Sequence, residues 1–67
     1  MNKLGERIKE LRTERGLSIL ELSKLTNISN ASICRWENNK TDIRGEQLII
    51  LAKFFGVTTD YLLGLEN

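Results

Sequence analysis

Two helix-start signals lie so close together that the chain between them has room only for a short helix and a tight turn. At the first, Ser18 is followed by Glu21. That is a capping box: the serine oxygen accepts the N3 amide and the glutamate accepts the N-cap amide. Leu17 and Leu22 flank it as a hydrophobic staple. At the second, Ser29 stands ahead of a new helical run, with Ile28 and Ile33 in the same staple relation. The helix begun at Ser18 is expected to carry Leu22 and Leu25 inward and to run out at Thr26 and Asn27 after about two turns. Asparagine takes left-handed backbone there at some cost relative to glycine. So short a connection swings the next helix sharply across the first, which is the geometry of a helix-turn-helix pair.

The rest of the chain supplies surfaces for that pair to pack on. Leu4, Ile8 and Leu11 recur at i, i+4 and i+7 along a first helix that Gly16 closes. Asn38 and Asn39 offer a left-handed exit from the third helix, and a polar loop is expected from Asn39 to Gly45. Helical spacing resumes from Glu46 to Phe55, where Leu48, Leu51, Ala52 and Phe55 share a face and Gly56 ends the run. Thr58 then caps a last short helix, with Val57 and Leu62 as a third staple. No stretch alternates with period two. The expected fold is all-α, five short helices in a single domain over residues 1–67.

A chain of 67 residues with no proline and one cysteine has no disulfide framework, so apolar packing and caps must hold it. A reducing cytoplasm suits it. The opening MNKLGERIKEL has no continuous apolar run, so neither a signal peptide nor a membrane partner is expected. The sequence has no histidine, metal-ligand cluster, phosphate loop or nucleophile paired with a base. It gives no basis for an enzyme, a cofactor, a metal or a small-molecule ligand. Ten basic against nine acidic residues, net +1, are few for a nucleic-acid partner, so the placement of charge must carry that reading.

Placement is informative on the third helix. At about 100° per residue, Ser32, Ile33, Trp36 and Glu37 fall on one half and Asn30, Ala31, Cys34 and Arg35 on the other. With the apolar half inward, the outer half offers three groups suited to base edges in the major groove of double-stranded DNA. Arg35 suits guanine O6 and N7, Asn30 suits adenine N6 and N7, and Ala31 suits a thymine methyl. Lys40 and Arg44 follow in the loop, within reach of flanking phosphates. The amides at Ser18 to Leu20 and at Ser29 to Ala31 are further phosphate donors. Cys34 reads as a small side chain suited to a crowded contact. Glu37 lies on the inward half and needs a partner, which Arg12 can supply.

The segments GERIKELRTERGLS, ELSKLTNISNASICRWENNK and LIILAKFFGVTTDYLLG together resemble the lambda-repressor-like helix-turn-helix family of Cro and phage repressors, also called XRE. The resemblance implies a five-helix domain that regulates transcription, usually as a repressor, on a two-fold operator. Asn30, Ala31 and Arg35 would then be base readers and Ser32 a base or phosphate contact. Asn38, Lys40 and the region of Arg44 would hold phosphates, Ser29 would meet a phosphate or a base, and Arg12 and Glu37 would tie the first helix to the third. The chain departs from the family pattern at Ile19, where glutamine commonly anchors a phosphate. It departs again at Asn27 and Asn39, where glycine is common, and at Ile43 and Arg44, where proline and serine are common. Asp42 is therefore expected to cap the fourth helix.

One lost anchor and a small net charge favour binding by two copies, with half-sites about 34 Å apart. The segment VTTDYLLGLEN is the expected seam of a homodimer, because Tyr61, Leu62, Leu63 and Leu65 are apolar beyond what a short tail needs. The rival reading is a protein-interaction module, an adaptor or antitoxin-like partner, on the same scaffold without DNA binding. A sequence ending just past the fifth helix is also compatible with the N-terminal part of a longer regulator.

Overall fold

The computed structural model describes residues 3–66. Five helices follow one another: α1 (Leu4–Glu14), α2 (Ile19–Thr26), α3 (Asn30–Glu37), α4 (Gly45–Phe55) and α5 (Thr59–Leu63). No strand occurs among the described residues. Their apolar faces meet in one core of Leu4, Ile8, Leu22, Ile28, Ile33, Trp36, Leu51, Ala52, Phe55 and Leu62.

The caps form as their chemistry predicts. Ser18 Oγ accepts the Glu21 amide at 3.0 Å and Glu21 Oε1 accepts the Ser18 amide at 2.9 Å. Ser29 accepts the Ser32 amide, and Thr58 the Tyr61 amide. Asn27 and Asn39 both take left-handed backbone, at φ 59° and 56°. Beyond α3, the Asn39 amide donates to the Trp36 carbonyl and the Lys40 amide to the Arg35 carbonyl. These two bonds make a Schellman closure that satisfies carbonyls the helix cannot use itself.

The Ser18 box yields a first prediction. Ser18→Ala should lower unfolding free energy by about 1 kcal/mol in a denaturant titration. Hydrogen bonds from the Ser18 amide, then from its hydroxyl, hold the Glu21 carboxyl below its usual pKa. A depressed carboxyl stabilises the fold above its unfolded pKa and loses that contribution as pH falls through the folded one. Glu21→Gln should therefore remove this part of the acid sensitivity.

Two local expectations give way. Leu25 does not point inward but is 60% exposed. The inward line of α2 runs Ile19, Leu22, Ser23, Thr26, and its polar members bond to main chain: Ser23 Oγ donates to the Ile28 carbonyl and Thr26 Oγ1 to the Leu22 carbonyl. Leucine was the wrong guide on so short a helix. Nor does Asp42 cap α4; the N-cap residue is Arg44, in extended conformation and with no side-chain cap bond. The helix begins at Gly45, which places Asp42 too far upstream to reach its first free amides.

The ends of the bundle are stitched together. Arg7 stacks on the Tyr61 ring, 4.1 Å from its centre, and donates to the carbonyls of Tyr61 and Glu66. Thr58 Oγ1 donates to the Glu66 carboxylate. At the other end of α1, Arg15 reaches the carbonyls of Phe54 and Phe55, closing α1 onto α4.

Candidate nucleic-acid interface

The α3 surface divides as its periodicity predicts. Ile33 and Trp36 are buried, 0% and 3% exposed, whereas Asn30, Ala31, Cys34 and Arg35 all face solvent. Ser32 lies between the two halves, half-buried. An amide, a methyl and a guanidinium therefore stand together on one side of a helix whose first-turn amides have no partner within the helix. Ser29 is exposed at the N-cap with its hydroxyl 3.4 Å from that of Ser32.

Arg12 and Glu37 set this helix on the rest of the molecule. The guanidinium grips the carboxylate twice, Nε to Oε2 at 2.7 Å and Nη2 to Oε1 at 2.9 Å, and donates a third bond from Nη1 to the Leu17 carbonyl. Only 12% of the Arg12 and 5% of the Glu37 side-chain surface is exposed. Hydrogen bonding to Glu37 outweighs burial and raises the arginine pKa further. The one carboxylate of α3 is thus neutralised, and the outer half of the helix carries Arg35 as its only charge.

Beside α3 opens a polar cleft of about 330 Å³. It is lined by Ser32, Arg35 and Trp36 of α3, by Thr41, Asp42 and Arg44 of the loop, and by Gln47 of α4. Arg35 and Arg44, nine positions apart on either side of the loop, thereby share a concave surface whose two guanidiniums outnumber the Asp42 carboxylate, which suits an anionic group. Lys40 is exposed next to it, its amide tied to the Arg35 carbonyl at 2.8 Å. Asn38 is exposed too, but its side-chain amide donates back to the Cys34 carbonyl at 2.8 Å, which commits one of its two donors to α3.

The sequence reading missed Thr41, Asp42 and Gln47, whose places depend on how α4 stands against α3. Gln47, a half-buried polar residue on a helix whose charged residues Glu46 and Lys53 are exposed, was the available sign. One expected donor is lost: the Ser18 amide is taken by Glu21. Ile19 is half-buried and packs against the core, so it offers a phosphate nothing polar. Of the expected seam, Leu62 is fully buried and Tyr61 lies under Arg7, which leaves half-buried Leu63 and Leu65, 72% exposed, as apolar surface. Among the described residues no group of acids and cysteine could hold a metal, and no helix is long and apolar enough to cross a membrane.

The helix-turn-helix family matches residues 8–62. The C2 repressor protein of Salmonella phage P22 is 37% identical over 60 residues, 90% of this chain and 28% of that protein. The HTH-type transcriptional regulator ImmR of Bacillus subtilis is 36% identical over 64 residues, 96% of this chain and 50% of that one. The chain thus spans half or less of the length of these relatives. In three dimensions it is similar to the solution structure of the DNA-binding domain of the P22 C2 repressor. That likeness has a TM-score of 0.80 at 36% identity, covering 91% of this chain and 80% of that one.

Proposed function

The chain belongs to the helix-turn-helix family of Cro and phage repressors, and from that membership we propose that it is a sequence-specific regulator of transcription, acting as a repressor. Its ligand is double-stranded DNA, read in the major groove by α3. The observation that carries this reading is the exposed set Asn30, Ala31 and Arg35 on a helix whose opposite side is buried and whose one acid is neutralised. Arg35 supplies a donor pair for a guanine edge, Asn30 a donor and an acceptor for an adenine edge, and Ala31 a methyl contact. Ser29, Ser32, Asn38, Lys40 and Arg44 hold the backbone and set register.

Binding is by a homodimer on a two-fold operator, because a net charge of +1 leaves one copy a weak grip on a polyanion. A single, unpaired cysteine suits work in the reducing cytoplasm.

Selection of bound duplexes from a random pool tests the reading. A roughly palindromic enriched sequence, with half-sites about one helical turn apart, supports it. No enrichment at low salt from folded protein would turn the reading to a protein-interaction module. Phosphate contacts have their own signature. Lys40→Ala and Arg44→Ala should each weaken binding to every duplex alike and reduce the slope of log affinity against log salt by about 1. An unchanged slope would remove that residue from the interface.

A further inference from the structure

We infer that Gly5 aims the recognition helix: its missing side chain lets α1 touch the backbone at the C-terminal end of α3, and the angle of α3 depends on that contact. The inference rests on the proposed reading of DNA by α3.

Gly5 is buried in the first turn of α1. A Cβ there would lie 2.3 Å from the Trp36 carbonyl oxygen and 2.9 Å from that of Glu37. Both are main-chain atoms, so no side chain can rotate away. The Trp36 carbonyl is further fixed as the acceptor of the Asn39 amide. Ordinary contact begins near 3.4 Å, so a methyl at position 5 demands a displacement of about 1 Å.

The clash falls on the C-terminal end of α3, where buried Trp36 and the Arg12–Glu37 pair must give to supply it. Near its N-terminus, buried Ile28 and the bond from Ser23 to the Ile28 carbonyl pin the chain. On the α1 side, Leu4 is buried, and Arg7 ties the same turn to Tyr61 and Glu66. Because the push is applied at the Trp36 and Glu37 carbonyls, the C-terminal end of α3 swings by about 5° over a helix of this length, straining the Arg12–Glu37 pair. Arg35 lies next to the displaced carbonyls and Asn30 at the pivot. Productive contacts tolerate only about 0.5 Å of error. A methyl at position 5 therefore spoils the base contact of Arg35 and spares that of Asn30.

The test compares wild type, Gly5→Ala and Gly16→Ala. The last is the control: Gly16 has φ +67° with nothing near its Cβ position, so alanine there strains the fold without touching α3. In free protein, Gly5→Ala should shift the amide resonances of residues 34–39 and leave 29–32 and α5 in place. On the selected operator it should lose about tenfold or more of the discrimination at the base pair read by Arg35. Discrimination at the pair read by Asn30 and non-specific binding should persist, and Gly16→Ala should keep both discriminations.

Unmoved 34–39 resonances, or a loss spread evenly over all base pairs, would overturn the inference. If Gly5→Ala stays unfolded even with trimethylamine oxide, which strengthens burial, the contact decides folding rather than aim, and the inference also fails. A wild-type chain that selects no duplex instead defeats the DNA reading, and the resonance shifts still report whether position 5 sets the angle of α3.

Discussion

Glu37→Ala should lower unfolding free energy by about 3 kcal/mol or more, since cutting one partner of a buried ion pair leaves the other charge uncompensated. Arg12 would keep its bond to the Leu17 carbonyl but lose both bonds to carboxylate oxygens, in a place where 12% of its side chain meets water. A domain of this size is stable by roughly 3–10 kcal/mol in all. The substitution thus removes a large share, and the melting temperature should fall by about 12 °C or more. Replacing both partners by apolar residues of similar volume, Arg12→Met with Glu37→Leu, should recover much of the loss, because desolvation of the pair offsets most of its attraction. A melting curve for Glu37→Ala that overlays wild type would show that the pair contributes nothing.

The second large effect concerns binding. Arg35→Ala removes the only guanidinium on the outer half of α3. One bidentate contact to guanine carries about 1–3 kcal/mol of discrimination. On a two-fold operator the loss occurs twice, so affinity for the selected site should fall by about 2–6 kcal/mol, from about thirtyfold to about twenty-thousandfold. Non-specific affinity should change far less. Competition titrations against single-base variants of the operator measure both. Relaxed preference at one base pair per half-site is the expected outcome; equal weakening on all sequences would make Arg35 a phosphate contact instead.

What could be read in the sequence, and what could not, follows the range of the interactions. Ser18, Glu21, Ser29, Asn27 and Thr58 were legible because a cap is chemistry within four residues. The division of α3 was legible because Ile33 and Trp36 repeat at helical spacing. Leu25 misled because Ser23 and Thr26 hold the inward positions of α2 by bonding to main chain, and hydrophobicity gives no sign of that. Asp42 misled because it has capping chemistry but stands three residues ahead of Gly45, and the N-cap position falls to Arg44, which has none. The cleft uniting Arg35, Arg44 and Gln47 depends on the stance of α4, which no local pattern encodes. Gly5 is the clearest omission: a helix-weakening residue beside the apolar stripe of α1, whose reason is a carbonyl more than thirty positions away.

The outermost turns of a helical bundle ordinarily open independently, each at little cost in free energy. Here the first turn of α1 and the turn after α5 hold each other through Arg7, through the Tyr61 ring and through Lys3 packed against Gly64. Neither can loosen alone. Protection from solvent exchange at the two ends then becomes one shared quantity, and a disturbance at residue 64 reaches the foot of the helix that seats α3.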